Sequence, residues 1–304
     1  MPTLLEMTDV PMINILENCG FKSVLTLRKV CHSLRNFIDD ACFKTDLDNI
    51  CITIGPNGFS VNCENPKPWM NGTGVAKDCT SKDLKFILKM AENSQLSYFL
   101  VKTNPDNVGG LDDLEELLKN QTRPLKTERF EMLGSEICKV LPYLDSKILK
   151  NITIKPADYN TLSRYLDGIE KVMELEQFKN AVELNISHCF LVRADVRKFF
   201  HFQKADVMLH ETSIEKLVAL KEAFVTSTHM EFFCMNRLGL HENQLEQVFG
   251  TPFRDDRFPH GYSLWFFKIK NCPEHVLRIE WKSGFLLFGK WKAKVVPHGA
   301  LVHH

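Results

Sequence analysis

The stretch LTLRKVCHSLRNFIDD, residues 25–40, places a helical apolar stripe close to the first residue of the sequence. Its apolar residues recur at intervals of one or three, at Leu27, Val30, Cys31, Leu34, Phe37 and Ile38. This spacing is typical of an amphipathic helix. Working outward, the pattern predicts three short helices, over residues 11–18, 24–31 and 33–43. Each is too short to be stable alone in water, so all three must pack against something.

These helices carry more large apolar side chains than so short a segment can bury. About forty residues are too few to support a core of their own, and each buried side chain of this size contributes roughly 1.5–3 kcal/mol. The residues concerned are Val10, Ile15, Leu16, Phe21, Val24, Leu25, Leu27, Val30, Leu34 and Phe37. The segment is therefore predicted to offer an apolar surface to a partner, for example a partner helix.

Composition excludes several classes of protein. The 304 residues are 44% hydrophobic and 25% charged with zero formal net charge, which indicates a folded chain with no overall attraction for nucleic acid or anionic lipid. No apolar run approaches 18 residues, and no basic stretch resembling a signal peptide opens the sequence. We expect no membrane partner, no direct nucleic-acid binding, a cytoplasmic or nuclear location, and ten reduced cysteines.

After the three helices the sequence alternates between strand and helix patterns. Residues 50–63 read as a β-hairpin. Later strand centres fall at residues 152, 184, 207 and 232, which are 32, 23 and 25 residues apart. This step is typical of an irregular, leucine-rich-repeat-like β-α solenoid, although a doubly wound α/β sheet stays open as an alternative. An aromatic hairpin turning at residues 282–284 is expected to cap the last repeat or to bind a partner.

No catalytic motif stands out. The sequence contains no G-x-S-x-G, no phosphate-binding loop and no H-E-x-x-H. His188 and Cys189 follow a predicted strand and could form a nucleophile pair, and His201, His210 and His229 could converge on a metal. The His188–Cys189 pair has no third partner visible in the sequence, and the sequence does not locate an Asp or Glu partner for the three histidines. We therefore expect no enzyme, no catalytic residue, no cofactor and no metal site.

The segment MTDVPMINILENCGFKSVLTLRKVCHSLRNFIDD, residues 7–40, resembles an F-box. It is most similar to the F-box of the large nematode family that carries a C-terminal FTH domain, also called DUF38. The remainder resembles the FTH region through its early hairpin and its strand–helix rhythm. The resemblance implies an F-box domain over residues 1–45 and an FTH domain over residues 46–304, with a C-terminal hairpin cap.

The family resemblance also implies a function. It identifies the chain as a substrate receptor of a Skp–cullin–F-box (SCF) ubiquitin ligase, which binds a Skp-type adaptor through its N-terminal helices and an unknown target protein through its C-terminal domain. The adaptor-binding residues would be Val10, Pro11, Ile15, Leu16, Leu25, Leu27, Val30 and Cys31. The alternative is a protein-binding adaptor without a ligase role, which recruits a regulatory and possibly RNA-bound partner; six lysines after residue 267 would then matter.

Overall fold

The computed structural model describes residues 7–41, 43–56, 58–63, 77–103, 110–158, 164–236, 241–254, 262–282 and 284–303. The chain divides into two compact units, Met1–Lys150 and Asn151–His304. Among the described residues, no helix has both the length and the apolar character needed to cross a membrane.

The first unit begins with three helices and continues with a sheet. Its helices are α1 (Asp9–Glu17), α2 (Phe21–Leu27), α3 (His32–Asp40), α4 (Ser81–Glu92) and α5 (Gly110–Lys119). Its strands are β1 (Asn49–Gly55), β2 (Gly58–Asn62), β3 (Lys77–Cys79), β4 (Leu96–Thr103) and β5 (Thr127–Leu133). Two 3₁₀ turns follow β5, at Ile137–Lys139 and Leu141–Tyr143.

The three predicted N-terminal helices are present, with shifted ends. Helix α2 begins at Phe21 because the Phe21 N–H donates to Asp46 Oδ1 at 2.6 Å, which satisfies a free amide of the first turn. Helix α3 begins at His32, because Cys31 is extended and its sulfur accepts from the Leu34 N–H at 3.5 Å. The sequence pattern predicts Ser33 as the N-cap of this helix, and that prediction is wrong because Cys31 takes the role.

The sheet of the first unit has the strand order β5-β4-β1-β2-β3. Strands β1, β4 and β5 are parallel to one another. The predicted hairpin is confirmed: β1 and β2 are antiparallel and meet at Gly55 and Gly58, where Gly58 has φ of 125°. Ile50, Ile52 and Ile54 alternate along β1 and are fully buried, so one face of the sheet lies in the core.

The second unit alternates strands with short helices. Its strands are β6 (Asn151–Lys155), β7 (Arg164–Tyr165), β8 (Glu183–Ile186), β9 (Phe190–Val192), β10 (Lys204–Leu209), β11 (Phe232–Asn236), β12 (Ser263–Lys268), β13 (His275–Lys282), β14 (Phe285–Lys292) and β15 (Val302–His303). Its helices are α6 (Ile169–Met173), α7 (Glu176–Asn180), α8 (Ile214–Thr226) and α9 (Glu242–Phe249), with 3₁₀ turns at Val196–Phe199 and Ala293–Val295.

Strands β6, β8, β10 and β11 are parallel neighbours in chain order. The aromatic hairpin of β13 and β14 then continues the sheet, since β14 pairs antiparallel with β11. Strands β12 and β15 complete this edge. Within each unit the parallel strands follow one another without the reversal that a doubly wound sheet requires. The α/β fold class with N-terminal helices and a solenoid-like strand order is confirmed.

The sequence patterns of residues 134–144 and 192–202 predict α-helices, and both predictions are wrong in type. The first segment holds the 3₁₀ turns Ile137–Lys139 and Leu141–Tyr143, and the second holds the 3₁₀ turn Val196–Phe199. Pro142 interrupts helical hydrogen bonding in the first. In the second, Phe199 and Phe202 are both buried and pack on Phe178, so a compact aromatic cluster replaces a longer helix. The sequence pattern of residues 159–175 predicts a further helix; residues 159–163 lie outside the described residues, and the rest of the segment holds strand β7 and the short helix α6.

Candidate partner-binding surfaces

Arg28 anchors the N-terminal helices to helix α4. It caps α2, and its guanidinium donates from Nε to Asp39 Oδ1 at 2.5 Å and from Nη2 to Asp39 Oδ2 at 3.0 Å. Its Nη1 donates to Asp83 Oδ1 at 3.1 Å, and its Cζ lies 4.4 Å from the ring centroid of Phe86. Bidentate ion pairing and stacking on a ring are contacts that arginine makes well. One side chain thus joins α2, α3 and α4.

The electrostatics of this anchor agree with its geometry. The hydrogen bond to Asp39 is the main cause that raises the pKa of Arg28. The Thr80 hydroxyl is the main cause that lowers the pKa of Asp83, and Arg28 adds to the effect. Thr80 and Asp83 also form the capping box of α4. The Asp83 carboxylate therefore stabilises the start of α4 and holds the N-terminal helices at the same time.

The N-terminal helices bury one apolar stripe in addition to this anchor. The Lys89 amino group on α4 donates to the Asp39 carbonyl, which holds the last turn of α3. The buried side chains of α1, α2 and α3 are Met12, Leu16, Phe21, Val24, Leu34 and Ile38. The helices consequently have a defined orientation against α4, and the remaining apolar residues stay outside the core.

Seven of the eight residues in the sequence-based set lie outside the core, and we call them the apolar helix surface: Val10, Pro11, Ile15, Leu25, Leu27, Val30 and Cys31. Val10 is 69% exposed and Val30 is 65% exposed. Pro11 is exposed as well, and the other four are half-buried. Leu16, the eighth residue in the sequence-based set, is only 1% exposed and lies in the core. The apolar excess of the segment is thus divided between a core and an accessible surface.

A second surface lies on the sheet of the unit Asn151–His304. Strand side chains alternate between the two faces of a sheet, and Leu184, Val207 and Phe233 are buried on one of them. The opposite side is called here the outer strand face. By strand register it carries Asn185, Asp206, Phe232, Cys234, Phe285 and Trp291.

Three polar groups meet on the outer strand face. His188, in the turn after β8, has its Nε2 2.8 Å from Asp206 Oδ1. Asp206 on β10 is the register partner of Cys234 on β11. One ligand atom from each residue lies within 4.8 Å of the other two. Burial is the main cause that raises the pKa of the Cys234 thiol, and the Asp206 carboxylate adds to it.

The histidines considered in the sequence have different surroundings. His188 contacts Asp206 rather than acting as a base for Cys189, whose backbone N–H donates to Ser187 Oγ at 3.4 Å. The ring nitrogens of His201 and His229 lie 3.0 Å from the backbone oxygens of Phe178 and Phe200, and the His210 ring contacts the Tyr165 hydroxyl. Among the described residues, the one group with three metal-binding side chains is His188, Asp206 and Cys234.

Aromatic side chains occupy the other end of the outer strand face. Phe232 and Trp291 are both exposed. Phe232 is the register partner of Gly289, and a Cβ at Gly289 would lie 2.7 Å from Trp291 Nε1. The glycine thus leaves space for the indole to lie against the strand. Arg278 Cζ lies 4.8 Å from the Trp291 ring. Exposed aromatics beside an arginine are typical of protein-binding surfaces.

Comparison with known protein families identifies both parts of the chain. Residues 4–46 match the model of the F-box domain, and residues 110–253 match the model of the FTH domain. A search among curated proteins found no significant match. Both are interaction domains, and neither is a known catalytic domain. An F-box indicates a protein-interaction adaptor, typically in an SCF ubiquitin ligase. The chain is therefore an F-box protein with a C-terminal FTH domain.

Proposed function

We propose that this protein is the substrate receptor of an SCF ubiquitin ligase. Its F-box, residues 1–45, binds a Skp-type adaptor, and its C-terminal domain, residues 46–304, binds a target protein in the cytoplasm or nucleus. The receptor itself performs no chemistry. It raises the effective concentration of the target near the catalytic subunits, because tethering converts an encounter in solution into an intramolecular one.

The observation that carries this proposal is the exposure of the apolar helix surface. Val10 and Val30 are among the most exposed large apolar side chains of the described residues. Burying one such side chain against a partner contributes roughly 1.5–3 kcal/mol. We assign adaptor contact to the seven residues of this surface. Leu16, which the family pattern includes, supports them from the core below.

The Arg28 anchor supports a receptor role as well. Helices that are already held in one orientation bind a partner better, because ordering them on binding would cost affinity. Arg28 and Lys89 hold the F-box helices in this way by fastening them to α4 of the same unit. For the target we propose the outer strand face, because Phe232 and Trp291 are exposed there.

The first test is binding of the purified chain to a Skp-type adaptor, by calorimetry or pull-down, with Val30→Asp as the variant. Val30 is 65% exposed, so the charge should leave the fold intact and weaken the complex at least tenfold. Leu301→Asp is the matched control, because Leu301 is also 65% exposed but lies far along the chain from the F-box. Equal adaptor affinity in both variants would refute the assignment.

The same experiment separates the two candidate functions. If the unmodified chain binds the adaptor, the receptor function stands. If it does not, the protein is a binding module without a ligase role, and the outer strand face remains as its interaction surface. The six lysines after residue 267, five of which are exposed, then become relevant to an RNA-bound partner. Salt-sensitive RNA binding by the full chain would test direct contact.

A further inference from the structure

Three metal-binding side chains lie together on the outer strand face, in positions set by neighbouring elements. Asp206 and Cys234 are register partners on the adjacent parallel strands β10 and β11. His188 lies in the turn that follows β8, and β8 pairs with β10 on the side opposite to β11. Because two of the positions are fixed by strand pairing, the cluster depends little on loop conformation. Sites on strands are more precise than sites on loops.

We propose that His188, Asp206 and Cys234 bind a zinc ion through Nε2, a carboxylate oxygen and Sγ. An imidazole, a carboxylate and a thiolate are the three ligand types that zinc accepts in proteins. Calcium and magnesium require mainly oxygen ligands, so this mixed set does not suit them. Three protein ligands leave one coordination position for water, as in zinc sites that are not purely structural.

The distances fit this assignment with small shifts. Zinc bonds of about 2.0–2.3 Å in tetrahedral geometry place neighbouring ligand atoms about 3.3–3.6 Å apart. The His188 and Asp206 atoms, now 2.8 Å apart, must separate by about half an ångström. The other pairs, at most 4.8 Å apart, must close by no more than about 1.2–1.5 Å. Rotations of the side chains provide these movements without moving the strands.

The surroundings of the cluster favour a metal ion that is bonded directly to the three side chains over one that keeps its shell of water. Cys234 is buried, while His188 and Asp206 are partly exposed, so the site is closed on the sheet side and open towards solvent. The Phe285 ring lies 4.7 Å from the His188 ring, centroid to centroid. An apolar ring next to a metal-binding imidazole limits the access of solvent to the site. As the sulfur–zinc bond forms, the Cys234 thiol proton passes to solvent.

The proposal is tested by titrating the full chain, after treatment with a chelator, with Co²⁺ alone and then with Zn²⁺. We expect one equivalent of Co²⁺ to give a tetrahedral visible spectrum and a sulfur-to-cobalt charge-transfer band, both removed by Zn²⁺. Cys234→Ser should abolish the charge-transfer band. His188→Gln should weaken Co²⁺ and Zn²⁺ binding about 100-fold, since even the loss of a residue that only supports a metal ligand costs about 10–100-fold.

Cys272→Ser is the matched control. Cys272 Sγ lies 3.3 Å from His275 Nδ1, and the described residues offer that pair no third metal ligand, so this variant should keep the cobalt spectrum. Circular dichroism checks folding; if Cys234→Ser unfolds, the partly exposed His188→Gln decides alone. A wild-type chain without the cobalt spectrum, or a His188→Gln variant with unchanged affinity, overturns the proposal. Adaptor binding does not enter this test, so its outcome is independent of the receptor function.

Discussion

Replacing Arg28 by methionine should release the N-terminal helices from α4. The Arg28 side chain is 16% exposed, and it makes three charge-assisted hydrogen bonds to two carboxylates that are 34% and 46% exposed. Removing one partner from a fully buried ion pair costs about 3–5 kcal/mol of stability, whereas an exposed ion pair contributes only about 0–1 kcal/mol. Arg28 is intermediate in burial, so its replacement should cost about 2 kcal/mol of stability. Loss of the stacking on Phe86 adds about 0.5–1 kcal/mol.

The appropriate assay is native-state hydrogen exchange of the α1, α2 and α3 amides, because it reports local opening rather than unfolding of the whole chain. A loss of about 2–3 kcal/mol corresponds to roughly 30- to 140-fold faster exchange. Arg28→Lys should show an intermediate effect, since lysine keeps the charge and loses the bidentate geometry. The exposed neighbour Lys29→Met serves as control and should change little.

The result that would refute this reasoning is equal exchange in Arg28→Met and Lys29→Met. It would mean that apolar packing alone holds the F-box helices in place. If the anchor acts as inferred, Arg28→Met should also weaken adaptor binding, although no residue of the apolar helix surface is changed. The affinity would then fall because the helices are no longer held in the orientation that the adaptor binds.

Two further predictions concern pH and backbone strain. The pKa of Asp83 is lowered in the folded chain from its reference value of 3.8. The Asp83 carboxylate therefore contributes fully to stability above about pH 4, and this contribution is lost as the pH falls further. In acid unfolding, the free energy of unfolding of Asp83→Asn should fall less steeply with pH than that of the unmodified chain. Gly250 and Gly299 have φ of 84° and 85°, so alanine at either should cost about 1 kcal/mol or more. A Cβ at Gly250 would also lie 2.9 Å from His303 Cε1, whereas Gly299 has nothing within 4 Å, and thermal unfolding should therefore show the larger loss for Gly250→Ala.

Local patterns in the sequence were enough to predict many of the helices and strands. The spacing around Leu34 and Ile38 predicted a helix because one helical face must be apolar to be buried. The alternation of Ile50, Ile52 and Ile54 predicted a strand, because every second side chain of a strand lies on the same face of the sheet and that face must be apolar to be buried. The F-box resemblance, likewise carried by a continuous stretch, is confirmed by the family comparison. Local patterns are readable because neighbours in sequence share one element.

Tertiary structure alone decided which side chains meet. Arg28 and Asp83 are 55 residues apart in sequence and 3.1 Å apart in space, and no periodicity connects them. The same holds for His188, Asp206 and Cys234, which strand pairing brings together. Leu16 and Val30 are equally apolar, yet packing buries one and exposes the other. Burial and long-range contact depend on how elements pack, so a residue's type and its sequence neighbours do not determine them.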